Sequence, residues 1–257
     1  MNFFSVPKLM QWQPSLDQHF ITNKSTLITS GCSFTSSTTQ LKTAASWPGY
    51  VMDRCRFTKT LDYSRQGVGN EYIHDSIVHH FDNLSIEQAQ ECMVIVMWSG
   101  LDRKEKKLSN HVKECENYAC LNGTFYAREK IDNLDKMGKQ VLAQESADFI
   151  FSLYTYLKSK NISFVFSFYS NVLFAPYIPK RDTTFEFDDF VSKSTLAQLQ
   201  NLSFIPNKPM DFLYEYAFVN DYLKTGDKFH PPVECNLAWT DNILLPGMAK
   251  QGLIYPR

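Results

Sequence analysis

The chain has 257 residues, 44% of them apolar and 21% charged, with a formal net charge of −1. This balance is that of an ordinary soluble protein, long enough for one large domain with a substantial core. A near-zero charge gives no strong pull toward nucleic acid or an anionic membrane surface, so neither partner is expected.

The N-terminus, Met1 to Lys8, has no basic segment followed by a long apolar run, so it does not read as a signal peptide. No apolar stretch reaches the roughly 18 residues that a membrane helix needs. The six cysteines, at 32, 55, 92, 115, 120 and 235, include no Cys-x-x-Cys pair. Reduced thiols and a cytoplasmic location are expected. Residues 1–25, with Pro7 and Pro14, read as irregular chain on the outside of the domain.

The first strand is expected at 26–31, running into the small-residue turn Gly31-Cys32-Ser33-Phe34-Thr35. A nucleophile there would project from the C-terminal edge of a parallel sheet, where α/β proteins hold ligands. Ser33 to Thr43 is rich in Ser and Thr and reads as an exposed loop. Ser46-Trp47-Pro48 looks like a helix start, with Trp47, Tyr50, Val51 and Met52 directed to the core.

A second strand is expected at 58–63. The glycines Gly67 and Gly69 follow it, where close backbone approach to a ligand is feasible. A helix over 71–81 carries Ile73, Ile77, Val78 and Phe81 at helical spacing. Cys92 to Met97 is a continuous apolar run, the mark of a strand buried on both faces. It ends in Trp98-Ser99-Gly100-Leu101-Asp102.

Residues 103–128 break the strand–helix rhythm and read as an insertion over the site. Its His111, Cys115 and Cys120 fit no common zinc spacing, so no metal is expected. A long helix is expected over 130–159, with Leu134, Met137, Val141, Leu142, Ile150, Leu153 and Leu157 on its apolar face. A strand follows at 162–168. The proline-broken stretch 170–208 reads as loop, 211–223 as a helix, and 234–250 as a final helix bent at Pro246-Gly247. Strands alternate with helices and no repeat is visible, so the expected architecture is a three-layer α/β/α sandwich with a mainly parallel sheet.

Near the far end stands Asp227-Lys228-Phe229-His230-Pro231. A carboxylate three residues before a histidine can orient the imidazole, and the imidazole can activate a serine hydroxyl. Cys32 competes with Ser33 as nucleophile. Adjacent side chains in an extended segment point to opposite faces, so only one can meet His230. His74, His79 and His80 share one expected helix and look like surface or edge residues, and His19 and His111 have no comparable acidic neighbour.

These blocks resemble the SGNH (GDSL-like) hydrolase superfamily, in the subgroup with a Gly-Cys-Ser-Phe-Thr first block common in bacterial and phage proteins. The resemblance spans roughly residues 26–250, as one domain occupying 1–257. It implies a flavodoxin-like sheet of about five strands and a catalytic triad of Ser33, Asp227 and His230, with no cofactor. Ser33 is then the nucleophile and Cys32 a small packing residue. It also implies an oxyanion hole from the backbone N–H groups of Ser33 and of Gly69, with Gly67 next in line. The family's third block is Gly-x-Asn-Asp, and Leu101 stands where its Asn belongs. The Ser99 hydroxyl, or a neighbouring backbone N–H, is the expected replacement donor.

The activity this implies is hydrolysis of a small acyl ester, most simply acetyl, of a polar alcohol such as a sugar. No apolar lid helix is visible. The loops 34–43, 103–128 and 170–208 are polar and carry Tyr118, Phe125, Tyr126, Phe174 and Tyr177, which either stack on sugar rings or anchor the loops. Two alternatives share the same residues: a non-catalytic structural or carbohydrate-binding module, and an O-acetyltransferase.

Overall fold

The computed structural model describes residues 19–35, 46–101, 103–108, 118–129, 135–170, 192–206, 208, 210–224 and 230–257. Strands β1 (Phe20–Ile21) and β2 (Thr26–Gly31) come first, then α1 (Trp47–Cys55), β3 (Lys59–Asp62), α2 (Asn70–Asp82), α3 (Ile86–Gln90) and β4 (Cys92–Trp98). All seven residues of β4 are buried. That burial has a simple origin: β4 lies between β2 and β8 (Ser163–Phe168) in a parallel sheet of order β3-β2-β4-β8.

Side-chain alternation divides the strands between two clusters. Ile28, Val94, Val96, Trp98 and Phe166 pack with Ile73, Ile77 and Phe81 of α2, and with Ile150, Leu153 and Leu157 of the long helix α4 (Lys136–Ser159). Leu27, Met93, Ile95, Met97 and Val165 pack with Trp47, Val51 and Cys55 of α1 and with Cys235 and Trp239 near the C-terminus. Helices thus flank the sheet. Each fully buried Leu, Ile, Val or Phe contributes about 1.5–3 kcal/mol of transfer free energy before entropy is counted.

Among the described residues this sheet has four strands, against the expected five or so. Beyond β8 there is a single parallel bridge, Phe166 to Phe204, with the Ile205 N–H donating to the Phe166 carbonyl at 2.9 Å. Pro206, next in the chain, has no N–H to extend a ladder.

The expected insertion forms a small antiparallel sheet of β5 (Lys104–Leu108), β6 (Tyr118–Leu121) and β7 (Thr124–Glu129), in the order β5-β7-β6. Asn122 and Gly123 both take positive φ in the β6–β7 turn, as a two-residue hairpin demands. The sheet is fastened to α2. The Tyr126 hydroxyl donates to Asp75 at 2.7 Å, and Lys107 reaches Glu71 at 2.9 Å and Asp75 at 2.8 Å.

The sequence expectation fails in several places. Lys193–Gln200 is a helix, α5, within the stretch read as loop; the Ser192 side chain caps it by accepting from the Thr195 N–H. Met137 and Val141 are exposed, so the apolar face of α4 begins only at Leu142. The 211–223 segment is shorter, α6 (Leu213–Val219) followed by a 3₁₀ turn at Tyr222–Lys224. The last segment is α7 (Val233–Trp239), a π turn over Thr240–Leu244, and α8 (Leu245–Lys250). Its irregularity therefore precedes Pro246, which sits just after the π turn, in the first turn of α8. Asp241, in that π turn, pairs with Arg54 at 3.1 Å and accepts from the Tyr50 hydroxyl at 2.6 Å, which ties the turn to α1. Two residues near the C-terminus, β9 (Tyr255–Pro256), pair with β1. Among the described residues, no helix is long and apolar enough to cross a membrane.

Candidate active site

Ser33 stands at the C-terminal end of β2, where Cys32 to Thr35 makes a tight turn closed by the Thr35 N–H donating to the Cys32 carbonyl at 2.9 Å. The turn is held close to the sheet. A Cβ on Gly31 would lie 2.8 Å from the Met97 carbonyl oxygen and would also collide with the Thr35 side chain. Only glycine lets β2 end this near β4. Cys32 points the other way and is fully buried, while Ser33 is 6% exposed.

His230 precedes Pro231, Pro232 and α7, whose Cys235 and Trp239 are anchored in the core. That anchorage brings Nε2 of His230 to 2.9 Å from Oγ of Ser33. In the tautomer that carries its proton on Nδ1, Nε2 accepts from the serine hydroxyl and is set to remove its proton. Asp227 lies outside the described residues. So do His111 and Cys115, whereas Cys120 is exposed; among the described residues no group of His, Cys, Asp or Glu could hold a metal.

The other loops of the site also leave the C-terminal ends of the parallel strands. After β3, Asp62 Oδ1 accepts from the Ser64 hydroxyl at 2.6 Å and the Ser64 N–H at 2.9 Å, and Gly67 takes φ 78 in the turn that follows. Gly69 is the N-cap residue of α2, with extended φ and ψ and no side chain to cap with. Glu105 of β5 supplies what Gly69 lacks: its Oε2 accepts from the Tyr72 N–H at 2.8 Å. Burial pushes Glu105 up to about 7, against backbone hydrogen bonds from Tyr72 and Gly69 that favour its charged form.

The loop after β4 is held by Asn70, which the sequence reading did not single out. Its Oδ1 accepts from the Ser99 N–H at 2.9 Å and its Nδ2 donates to the Gly100 carbonyl at 3.4 Å. Ser99 is fully buried, its N–H is engaged by Asn70, and its hydroxyl has no hydrogen-bond partner among the described residues. Leu101 is buried in the core. The only hint of Asn70 in the sequence was a polar residue directly after a glycine at a helix start.

Of the aromatics expected either to stack on sugar rings or to anchor the loops, Phe125 and Tyr126 lie on β7 of the small sheet. Tyr126 is buried, packs edge-on against Tyr72 and bonds Asp75, so it anchors the small sheet. Phe174, Tyr177 and the Tyr118 side chain lie outside the described residues. The rings beside the histidine are instead Phe34, centred 5.0 Å from the His230 ring, and Tyr169, stacked on Phe34 at 4.5 Å. The Arg103 guanidinium lies 5.9 Å from the Tyr169 centroid and donates to the Val68 carbonyl at 3.0 Å. Beyond it, Arg103, Lys104, Glu105, Glu71, Glu145 and Phe149 line a cavity of about 380 Å³ that neither Ser33 nor His230 borders.

A serine–histidine–aspartate arrangement lies between α2 and α4. His74 Nδ1 is 2.7 Å from Asp75 Oδ1, and His74 Nε2 is 3.1 Å from Ser152 Oγ. Ser152 sits in the middle of α4, where neighbouring N–H groups are spent inside the helix and none remains for an oxyanion. It is a clamp between helices. Ser33 stands instead in the turn that follows β2, outside any helix. No family model and no curated protein matches this chain.

Proposed function

We propose that the protein is a serine hydrolase of the SGNH (GDSL-like) type, acting on ester bonds. The observation that carries this reading is the 2.9 Å approach of His230 Nε2 to Ser33 Oγ at the C-terminal edge of a parallel sheet. Ser33 attacks the ester carbonyl as His230 takes its proton, which then passes to the leaving alcohol. Water, activated by the same imidazole, releases the acid from Ser33. Asp227 orients His230. The N–H groups of Ser33 and Gly69 stabilise the oxyanion, each such donor being worth about 3 kcal/mol. The finer architecture, a three-layer flavodoxin-like sandwich in one domain, belongs to the same proposal, as does a cytoplasmic location.

The substrate in this reading is a small acyl ester, most simply acetyl, on a polar alcohol such as a sugar. Phe34 and Tyr169 offer ring surface beside His230, and no long apolar groove is needed for so short a chain. Each further methylene would require about 0.8 kcal/mol worth of apolar surface to bury against. A non-catalytic module draws support from one fact, the burial in the core of Leu101, which stands where the family has its oxyanion-donating Asn.

The test is labelling with a fluorophosphonate followed by peptide mapping, alongside p-nitrophenyl esters from acetate to palmitate. A modified Ser33 and rates falling with chain length are expected. An unmodified Ser33 with no turnover would establish the non-catalytic module instead.

A further inference from the structure

We propose that Glu105 is a positioning residue for this site: its neutral carboxyl leaves the Gly69 N–H to the oxyanion, and its ionised form withdraws that donor. The inference rests on the serine-hydrolase reading above and deepens it. It starts from a local defect. A helix N-terminus is ordinarily capped by the side chain of its N-cap residue, which accepts from the third N–H. Gly69 has no side chain, so α2 takes its acceptor from β5, 33 residues away from Tyr72 in the chain.

The carboxyl is therefore wedged against the glycine itself. A Cβ on Gly69 would lie 3.0 Å from Glu105 Oε2 and 3.1 Å from its Cδ. The residue is 9% exposed, and its second oxygen, Oε1, is buried without a hydrogen-bond partner among the described residues. A buried oxygen with no donor is a costly place for a negative charge, and a protonated carboxyl lowers that cost.

The surrounding charges bear on this from every side. On α2 stand Glu71, Tyr72 and Asp75; on β7, Tyr126; on α4, Glu145 and Asp148 border the same cavity. On the strand of Glu105 itself and just before it stand Lys104, Lys107 and Arg103. Lys107 is paired with Glu71 and Asp75, and Arg103 donates to the Val68 carbonyl. Glu71 and Asp75 therefore add to burial in favouring the neutral form.

A negative charge beside Gly69 opposes the charge that grows on the substrate oxygen, and it competes for the same N–H. Since the folded carboxyl titrates near 7, the site works with Glu105 protonated and weakens as pH rises through that value. His230 acts as the base on the other side of the same oxyanion, so Glu105 affects the rate without touching the proton transfer itself.

The experiment is the pH profile of kcat for p-nitrophenyl acetate, and of Ser33 labelling by a fluorophosphonate, in wild type and Glu105→Gln. Glutamine keeps the acceptor for the Tyr72 N–H but cannot ionise. Wild type is expected to lose roughly fivefold or more in kcat between about pH 7 and pH 9, with KM changed less than about twofold. Glu105→Gln is expected to hold its rate over the same range. An identical alkaline limb in both proteins, or a loss in Glu105→Gln that is equal at all pH, overturns the role of Glu105 and leaves the hydrolase reading standing. If Glu105→Gln does not fold, the wild-type labelling profile decides alone, a flat or rising alkaline limb being the overturning result. No turnover and no labelling in wild type at any pH removes both proposals.

Discussion

Ser33 Oγ and His230 Nε2 lie 2.9 Å apart, although 197 residues separate them in the chain. The contact is made by two anchored segments. The Cys32–Thr35 turn is pinned at the end of β2, and α7 is pinned through Cys235 and Trp239. A serine hydroxyl and an imidazole held this way need no rearrangement to share a proton.

Ser33→Ala and His230→Ala are each expected to lower ester hydrolysis by about 10³-fold or more. Neither side chain belongs to the apolar core, so thermal midpoints should stay close to wild type. The double variant should be little worse than Ser33→Ala alone, because the two groups act as one unit. Steady-state kinetics with calorimetry checks this, and full activity in Ser33→Ala would disprove it.

Asn70 bridges the Ser99 N–H and the Gly100 carbonyl in a buried site. Asn70→Ala leaves both backbone groups unpaired and should cost about 1–3 kcal/mol of stability. Asn70→Asp still accepts from Ser99 but sets a buried carboxylate against the Gly100 carbonyl, so at neutral pH its loss should match or exceed that of Asn70→Ala. Urea denaturation of the three proteins measures the order; equal stability of all three would contradict it.

Gly31 has no room for a side chain against the Met97 carbonyl and Thr35. Gly31→Ala must push the nucleophile turn off the sheet edge, at about 1–3 kcal/mol. Activity should fall further than stability, because the Ser33–His230 distance changes with the turn. The comparison of kcat with the unfolding midpoint tests this. A variant with wild-type kcat would show that the turn tolerates displacement.

Glu105 makes stability depend on pH in the direction opposite to most carboxylates. Its pKa is raised from 4.5 unfolded to about 7 folded. The native state thus binds the proton more tightly, so the contribution is complete below about pH 4.5 and is lost as pH rises through 7. The loss should approach 3 kcal/mol, at about 1.4 kcal/mol per unit. Asp75 runs the other way: burial would raise it, but hydrogen bonds from His74, Lys107 and Tyr126 outweigh that and hold it at about 2. Its stabilisation is present above 3.8 and disappears as pH falls toward 2. Urea unfolding at several pH values should show a decline from about pH 5 to 8 in wild type that is absent from Glu105→Gln. An equal decline in both would place the titrating group elsewhere.

The sequence by itself determined the elements whose signal is local. Seven apolar residues in a row at 92–98 have no solvent-facing alternative, so they form a buried parallel strand wherever they pack. Period-three and period-four spacing placed Ile73, Ile77 and Phe81 on one face of α2 for the same reason. The small-residue turn after β2 was legible because only a chain like Gly31-Cys32-Ser33 can end a strand that closely against its neighbour. The spacing of Asp227 and His230 already marked His230 as the partner of Ser33, but tertiary structure alone turned His74 to Ser152. It also buried Glu105 out of a run of lysines and turned Tyr126 from the site to Asp75. A charged strand carries no mark of which side chain will be covered by a helix 33 residues earlier in the chain. That depends on how separately formed elements dock, and local patterning encodes the elements but not the partner each face will find.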